Sequence, residues 1–195
     1  MFGDIELGSE FFEGLTAFDA EIAARVEAAG CRFCGARLYR GDYPRKPRGG
    51  IVAIAAESFV RRFSFCCGRD GCRRRATPPS IRFLGRRVYV GAAVLVASVI
   101  ALAGGTSAAV QRATGIASRT TRRWLRWWRG PFVTTAVFVD LAARIVGLDR
   151  FRLPASVVEQ MSEPAVTRVR RILGWLAPLT AMSIPSGSRF VRGVV

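Results

Sequence analysis

Five cysteines and no histidine define much of the chemistry open to this chain of 195 residues. Four of the cysteines form two spaced pairs: Cys31-x2-Cys34, followed by Gly35, and Cys67-x4-Cys72. Two residues between thiols let both sulfurs face one ion while the backbone turns around it, and a following glycine tolerates the left-handed conformation of such a turn. Four thiolates in two such pairs predict a closed tetrahedral site for one structural Zn²⁺.

The fifth cysteine, Cys66, leaves the identity of the third ligand open. Cys66 can replace Cys67 and form a Cys-x5-Cys pair with Cys72. Alternation along "RRFSFCC" places Phe63, Phe65 and Cys67 on one face of a strand, which favours Cys67. Two alternatives to a metal site remain: a redox pair formed by the first two cysteines, which lacks a thioredoxin-like strand and helix around it, and thiols without a shared role.

The absence of histidine also removes the common catalytic arrangements. Ser-His-Asp and Cys-His catalysis, imidazole bases and histidine ligands are excluded. Asp140, Asp149 and Glu159 are the only carboxylates whose grouping suggests a catalytic metal triad, and they lie in a short helical tail. We therefore expect a protein that is not an enzyme.

The charge indicates the class of partner. The chain carries 30 basic residues, of which Lys46 is the only lysine, against 14 acidic ones, for a net charge of +16. Seven of the acidic residues lie in the first 27 positions, so the remainder is more basic still. Such a field favours polyanions, because each neutralised phosphate releases counterions, and arginine matches phosphate and guanine edges. We expect double-stranded DNA as the partner, ahead of an anionic membrane surface.

Basic side chains flank the predicted metal site. They occupy the loop between the cysteine pairs and the second pair itself, where they are expected to contact backbone phosphate. This set is Arg45, Lys46 and Arg48 in the loop, and Arg69, Arg73, Arg74 and Arg75 at the second pair, with Arg61 and Arg62 just upstream. A solvated loop is the alternative.

A second DNA-contacting unit is predicted in "VQRATGIASRTTRRWLRWWRG", residues 110–130. Gly115 separates a short helix over about 107–113 from a longer one over about 118–129, as the turn of a helix-turn-helix unit requires. Ser118 is expected to cap the second helix. Residues at spacings of three and four predict its buried face, namely Thr121, Trp124, Leu125 and Trp128. The open face then carries the candidate DNA contacts Arg119, Arg122, Arg123 and Arg126. A basic helix that only covers a core is the alternative.

An uncharged run over residues 88–110 allows a different function. Its 23 residues match a transmembrane helix, which would make the chain a membrane-anchored zinc-ribbon protein. Gly91, Gly104 and Gly105 divide the run into a helix of about 15 residues and a separate short one. We therefore favour a first helix that its neighbours enclose.

The elements that must position these residues predict a mostly α chain. An acidic amphipathic helix occupies residues 1–29, and packing on the basic body is favoured over docking of a partner. A zinc ribbon of short β-hairpins occupies 30–80, with an outgoing strand at 36–40 and a returning strand at 60–65, and ends at the "TPPS" of 77–80. A helical helix-turn-helix unit over 81–130 follows, with residues 86–129 expected to be helical. A helical extension occupies 131–195. Its apolar positions suit core packing or a dimer face, and they are Val157, Val158, Met161, Val166, Val169, Ile172, Leu173 and Leu176.

The cysteine pairs and the helix pair together resemble the N-terminal DNA-binding region of bacterial insertion-sequence transposases and related mobile-element proteins. The matching residues are Cys31, Cys34, Cys67, Cys72, Arg74 and Arg75, and "TGIASRTTRRWLRWWR" at 114–129. Residues 131–195 are too short for the catalytic domain of such transposases. The resemblance therefore implies an accessory or regulatory DNA-binding protein, which contacts itself or a transposase through its C-terminal helices. The acidic N-terminus lacks a secretory signal, so we expect a cytoplasmic, nucleoid-associated location.

Overall fold

Helices dominate the computed structural model, which describes residues 7–47, 57–84 and 89–181. In these ranges the helices are α1 (Ser9–Ala29), α2 (Glu57–Val60), α3 (Gly91–Leu102), α4 (Ser107–Thr114), α5 (Ser118–Arg129), α6 (Ala136–Arg144), α7 (Ala155–Glu159) and α8 (Ala165–Leu176). Short 3-10 helices span Phe132–Thr134, Arg150–Arg152 and Ala177–Thr180. The expectation of a mostly α chain is confirmed.

The strands are short and antiparallel. They are β1 (Leu38–Arg40), β2 (Tyr43–Pro44), β3 (Arg61–Arg62), β4 (Phe65–Cys67), β5 (Arg75–Ala76), β6 (Phe83–Leu84) and β7 (Tyr89–Val90). One sheet has the order β1-β4-β5, and β2 pairs with β3 at the far end of the same β1–β4 hairpin. Leu38 faces Cys67 across this hairpin, so the register places the second cysteine pair beside the first.

The returning side of this hairpin lies later in the chain than predicted. It spans β3 and β4, residues 61–67 rather than 60–65, because the preceding residues form the single helical turn α2. Phe59 of that turn is 5% exposed and contacts the rings of Phe12 and Phe83 at centroid distances of 5.3 and 5.8 Å. Burial of one aromatic side chain therefore overrides the strand propensity of the segment.

Two hydrophobic cores result. The smaller one belongs to the ribbon and consists of Ala23, Cys31, Leu38, Phe63, Phe65 and Cys67. The larger one surrounds α3, whose first nine residues, 91–99, are all buried. Elements packed against α3 include α4, α5, α7, α8 and the β6–β7 hairpin. Neighbouring elements therefore enclose α3, and this explains why the helix is apolar on every side.

Residue 88 lies outside the described residues, and from Tyr89 on the uncharged run contains the strand β7, the helix α3 and the start of the separate helix α4. Within the described parts of the chain, none of the helices combines the length and the apolar character needed to cross a bilayer. The prediction of helix from residue 86 onwards is wrong at β7, which pairs with β6. The amide of Gly91 donates to the carbonyl of Arg82 at 2.9 Å and closes this hairpin directly before α3 begins.

The acidic helix predicted over 1–29 begins at Ser9 in the structure, and residues 1–6 lie outside the described residues. This helix, α1, packs on the body of the protein, as predicted. Phe11, Phe12 and Leu15 join the larger core, whereas Ala23 joins the smaller one, so α1 connects the two. One acidic residue, Asp19, lies on the buried face and is fully buried. Its carboxylate pairs with the equally buried Arg82 at 2.7 Å and accepts hydrogen bonds from the Ser80 hydroxyl at 2.5 Å and the Ile81 amide at 2.8 Å.

The apolar positions of the C-terminal region mostly serve core packing. Seven of the predicted positions are buried, namely Val157, Val158, Met161, Val169, Ile172, Leu173 and Leu176. Val166, the eighth, is partly buried against the same core. Three other apolar side chains of this region, Val139, Val146 and Phe151, are exposed.

Candidate metal centre and nucleic-acid interface

The structure brings the sulfurs of Cys31, Cys34, Cys67 and Cys72 within 4.8 Å of one another. The Sγ atoms of Cys31 and Cys72 lie 3.8 Å apart, and those of Cys34 and Cys67 lie 3.5 Å apart. These distances exceed a disulfide bond of about 2.0 Å. They match the edge of about 3.8 Å that follows for a tetrahedron of sulfurs about 2.3 Å from a central ion. The four sulfurs are therefore close enough together to bind one metal ion.

The first cysteine pair is held by a tight backbone turn. The amides of Cys34 and Gly35 both donate to the carbonyl of Cys31, at 3.2 and 2.7 Å. Gly35 has φ of 70°, a left-handed conformation that a side chain disfavours. The amide of Cys31 donates to the carbonyl of Ala36 at 2.8 Å and closes the loop. The expected role of the glycine after the pair is confirmed.

The second pair adopts a related turn. The amide of Cys72 donates to the carbonyl of Arg69 at 3.1 Å, and the amide of Cys67 donates to the carbonyl of Arg74 at 2.9 Å. Gly71 has φ of 82°, and Arg73 has φ of 42°, which is uncommon for a residue with a side chain. The backbone between the thiols thus turns sharply enough to face both sulfurs inwards.

Backbone amides donate hydrogen bonds to the sulfurs. The amide of Phe33, with that of Cys34 and the adjacent thiols, lowers the pKa of Cys31 to about 6, despite burial. The amide of Arg69 donates to Sγ of Cys67 at 3.5 Å and lowers its pKa, but burial and the neighbouring thiols outweigh this effect and raise that pKa to about 12. Thiolate is the form of cysteine that binds a metal ion, and a cation among the four sulfurs would favour that form.

Cys66 does not belong to this group. It lies on β4 opposite Tyr39 and Arg75, on the outer face of the sheet. Its Sγ faces Gly41, where an added Cβ would lie 3.7 Å from the sulfur. The sequence left Cys66 and Cys67 as alternatives for the third ligand, and the structure places Cys67 with the other three cysteines.

The basic residues predicted to contact phosphate at the second cysteine pair are exposed. Arg74 stacks on the ring of Phe33 at 4.1 Å, and Arg73 pairs with Asp70 at 2.6 Å. Exposed as well are Arg69, Arg75 and, in the loop, Lys46, whereas Arg45 is half-buried and Arg48 lies outside the described residues. Arg62, counted with this set in the sequence, is buried. It donates to the carbonyl of Pro78, and burial lowers its pKa to about 10.

A tight turn joins α4 to α5. The Thr106 hydroxyl caps α4 by accepting from the amide of Ala109 at 3.2 Å. Gly115 follows α4 with φ of 62°, and its amide donates to the carbonyl of Gln111 at 2.7 Å. The prediction that Ser118 caps α5 is wrong, because Ser118 is already the first helical residue and no side chain caps this helix. Ser118 therefore stands at the N-terminus of α5 with its hydroxyl not used in a cap.

The buried face of α5 is the one predicted. Thr121 and Trp128 are 5% and 1% exposed, and Trp124 and Leu125 are half-buried. The indole of Trp128 donates to the hydroxyl of Ser98 on α3 at 3.1 Å. Rings of Trp124, Trp127, Trp128 and Phe132 contact one another with centroid distances between 4.8 and 5.4 Å. These contacts fix the rotation of α5 about its axis.

The opposite face of α5 is covered with exposed arginines. Arg123 donates to the Tyr89 hydroxyl at 2.7 Å and stacks on that ring. Arg119, Arg122 and Arg126 are exposed, and the described residues provide them with no ion pair and no side-chain hydrogen bond. Their spacing of three and four puts them on one face. We call these three residues the arginine stripe.

Two tyrosines of the ribbon, Tyr39 and Tyr43, were not identified as candidate binding residues from the sequence. Tyr39 is 55% exposed and Tyr43 is half-buried, and both carry arginine side chains against their rings. The signal that would have revealed them is the alternation Arg37-x-Tyr39-x-Gly41-x-Tyr43-x-Arg45, which has the two-residue period of a strand.

No family model, no curated protein and no solved structure matches this chain. The four-cysteine group and the arginine stripe are therefore the features from which a function is inferred. The three carboxylates considered in the sequence as a catalytic metal triad do not lie together as the four cysteines do. Asp140 pairs with Arg144, Asp149 accepts from the amide of Phe151, and Glu159 pairs with Arg152. In the described ranges, the four cysteines are the one group of metal-ligating side chains that lie together.

Proposed function

We propose that this protein binds double-stranded DNA with α5 as the recognition helix of a helix-turn-helix unit formed by α3, α4 and α5. The observation that carries the proposal is the arginine stripe on a helix whose other face is anchored by Trp128. A helix held in this way can enter the major groove without turning its charges away from the bases. Arginine is the side chain that pairs most often with guanine there.

The charge around α5 supports the same partner. Between Asp70 and Asp140 the sequence contains twelve arginines and no acidic residue. This stretch includes α3, α4 and α5 as well as the exposed Arg73, Arg74 and Arg75 of the ribbon. Local cation density of this kind attracts a phosphate backbone and gives binding that weakens as salt rises. The acidic residues that could oppose it are concentrated in α1 and the C-terminal helices.

We infer further that the four-cysteine group binds one structural Zn²⁺. Four cysteine sulfurs within 4.8 Å of one another, in a chain without histidine, support the ligand set of structural zinc. The ion would hold together a ribbon whose own core has six residues. It would also fix Arg69 and Arg74, which flank the ligands Cys67 and Cys72, for contact with phosphate.

The narrower proposal is an accessory or regulatory DNA-binding role of the transposase type, without a catalytic step. It is supported by the separate partners of Asp140, Asp149 and Glu159, which leave no shared metal position among these three carboxylates. Magnesium-dependent cleavage of DNA by the purified protein, lost on Asp140→Ala, would overturn this part of the proposal.

The test of DNA binding compares two double variants that lose the same charge. Arg119→Ala with Arg122→Ala should weaken binding to a duplex about tenfold or more and reduce the slope of log affinity against log salt by about 2. Arg25→Ala with Arg150→Ala removes two exposed arginines elsewhere and should change affinity much less. Fluorescence anisotropy at several salt concentrations measures both. Equal affinities for the two variants would refute the recognition helix.

The test of zinc binding is metal analysis of the protein purified without added metal. One zinc ion per chain is expected. The Cys67→Ser variant should lose it and the Cys66→Ser variant should retain it, because of these two residues only Cys67 lies with the other three cysteines. A chain without zinc, or loss of zinc on Cys66→Ser alone, would contradict the assignment.

A further inference from the structure

The outer face of the ribbon sheet combines aromatic rings with arginines, and the duplex proposal uses Arg75 of this face but neither of its rings. Tyr39 lies on β1 and Tyr43 on β2, and Arg37 and Arg45 flank these two strands. Arg37 stacks on Tyr39 at 5.4 Å, and Arg45 stacks on Tyr43 at 5.2 Å and donates to its hydroxyl at 2.9 Å.

The third strand adds a cation to the same side. Cys66 lies opposite Tyr39 on one edge and opposite Arg75 on the other, and directly opposed residues of antiparallel strands share a face. The guanidinium of Arg75 reaches the ring of Tyr43 at 5.6 Å, and it also donates to the Ser64 hydroxyl at 3.2 Å. We call the set Arg37, Tyr39, Tyr43, Arg45 and Arg75 the tyrosine face.

A glycine lets the ring of Tyr39 lie against the sheet. A Cβ added to Gly68 would lie 2.2 Å from the nearest atom of that ring, so only glycine allows this contact. One side of the ring is thus supported by backbone, while 55% of the side chain stays exposed to solvent. A supported ring with an open side is suited to stacking a flat partner.

The nearest carboxylate does not neutralise this face. Asp42 is 10% exposed in its side chain and is engaged by Arg40 at 2.8 Å and by the amide of Ser64 at 3.0 Å. The tyrosine face therefore carries two aromatic rings together with the exposed guanidinium groups of Arg37 and Arg75. A partner that matches this face is a polymer in which flat rings alternate with negative charges.

We propose that the tyrosine face binds single-stranded DNA, with bases stacked on Tyr39 and Tyr43 and phosphates held by Arg37 and Arg75. A duplex shows the edges of its bases in the grooves but hides their faces in the stack, whereas an unpaired strand exposes both faces. This site is separate from the arginine stripe and does not depend on the recognition-helix proposal. A protein that uses both would bind at the junction of a duplex with an unpaired strand.

The test uses the full-length, zinc-loaded protein and a fluorescent thymidine oligonucleotide of about 12 nucleotides. This length lies within the roughly 4–16 nucleotides that one OB fold binds. Tyr39→Ala should weaken binding about tenfold or more, because stacking on one aromatic side chain commonly contributes that much. Tyr39→Phe keeps the ring and should lose no more than about threefold. Phe151→Ala is the matched control, since Phe151 is also exposed, at 62%, and carries Arg150 at 4.8 Å.

Zinc content and circular dichroism of each variant show whether the ribbon has kept its fold. Equal affinity of the wild type and of a zinc-loaded Tyr39→Ala variant would overturn the proposal, as would failure of the wild type to bind the oligonucleotide. Tighter binding of a uridine than of a thymidine oligonucleotide would reassign the face to RNA. Binding of a glutamate-rich peptide in place of the oligonucleotide would reassign it to a protein partner.

The double variant Arg119→Ala with Arg122→Ala separates this proposal from the recognition helix. It should bind the thymidine oligonucleotide within about threefold of the wild type while losing duplex affinity. Equal losses for the two substrates would show a single shared site and overturn the proposal of a separate tyrosine face.

Discussion

At the scale of single residues, buried polar groups have a role distinct from that of the exposed arginines. Arg82 is completely buried, and its guanidinium donates to Asp19 and to the carbonyls of Ser58, Phe59 and Arg61 at 2.7 to 3.0 Å. One side chain therefore ties α1, α2 and β3 to the segment that enters the larger core. A satisfied buried pair of this kind specifies one arrangement of the elements, because every alternative leaves a charge unpaired.

Removal of the carboxylate should be costly. Asp19→Ala leaves Arg82 as a buried charge without its counterion, and we expect a loss of about 3–5 kcal/mol in the free energy of unfolding. Urea denaturation followed by circular dichroism measures it. Glu21→Ala, an exposed carboxylate on the same helix, is the control and should change stability by less than about 0.5 kcal/mol. A loss below about 1 kcal/mol for Asp19→Ala would show that the pair is not important for stability.

At the scale of elements, the turn between α4 and α5 sets the position of the arginine stripe. Gly115 takes φ of 62°, which costs a residue with a side chain roughly 1–2 kcal/mol. The chain must reverse here within three residues, 115–117, so the strain cannot spread along a longer loop.

Gly115→Ala should therefore lower the free energy of unfolding by roughly 1–2 kcal/mol and weaken duplex binding, since a relaxed turn displaces the first residues of α5. Gly174→Ala is a matched control, for which the free energy of unfolding should change in the opposite direction. Gly174 lies within α8 with open space around an added Cβ, so alanine there should raise stability by up to about 1 kcal/mol. Thermal unfolding and anisotropy measure both variants. The same sign of change for the two glycines would contradict the role assigned to the turn.

The elements that the sequence predicts well are those with a clear period. The faces of α5 follow from the spacing of Thr121 and Trp128, and the cysteine turn follows from Gly35. Strands of two or three residues, such as β7, carry no usable period, so they were missed or misplaced. The burial of Arg62 was also beyond prediction, since it depends on the carbonyl of Pro78, which only the fold brings near. Ser118 was misassigned by a single residue at a helix boundary.

At the scale of the whole molecule, two cores of unequal size share one helix. The larger core is extensive and surrounds α3, whereas the ribbon core has six residues, two of them cysteines of the sulfur group. Helix α1 contributes Leu15 to the first and Ala23 to the second. The ribbon is too small to be stable by burial alone, so its fold should depend on the ion, whereas the helical core should not.

If the proposed zinc ion is bound, its removal by a chelator should therefore unfold one part of the molecule selectively. Structural zinc in small domains provides about 10–16 kcal/mol of folding free energy at neutral pH, far more than six buried residues replace. We expect hydrogen exchange to show lost amide protection over 31–47, over 57–76 and in the second half of α1, while α3 and α5 stay protected. Cys67→Ser should reproduce this pattern without chelator, and Cys66→Ser should match the wild type. Loss of protection in α3 together with the ribbon would show instead that the two cores unfold as one cooperative unit.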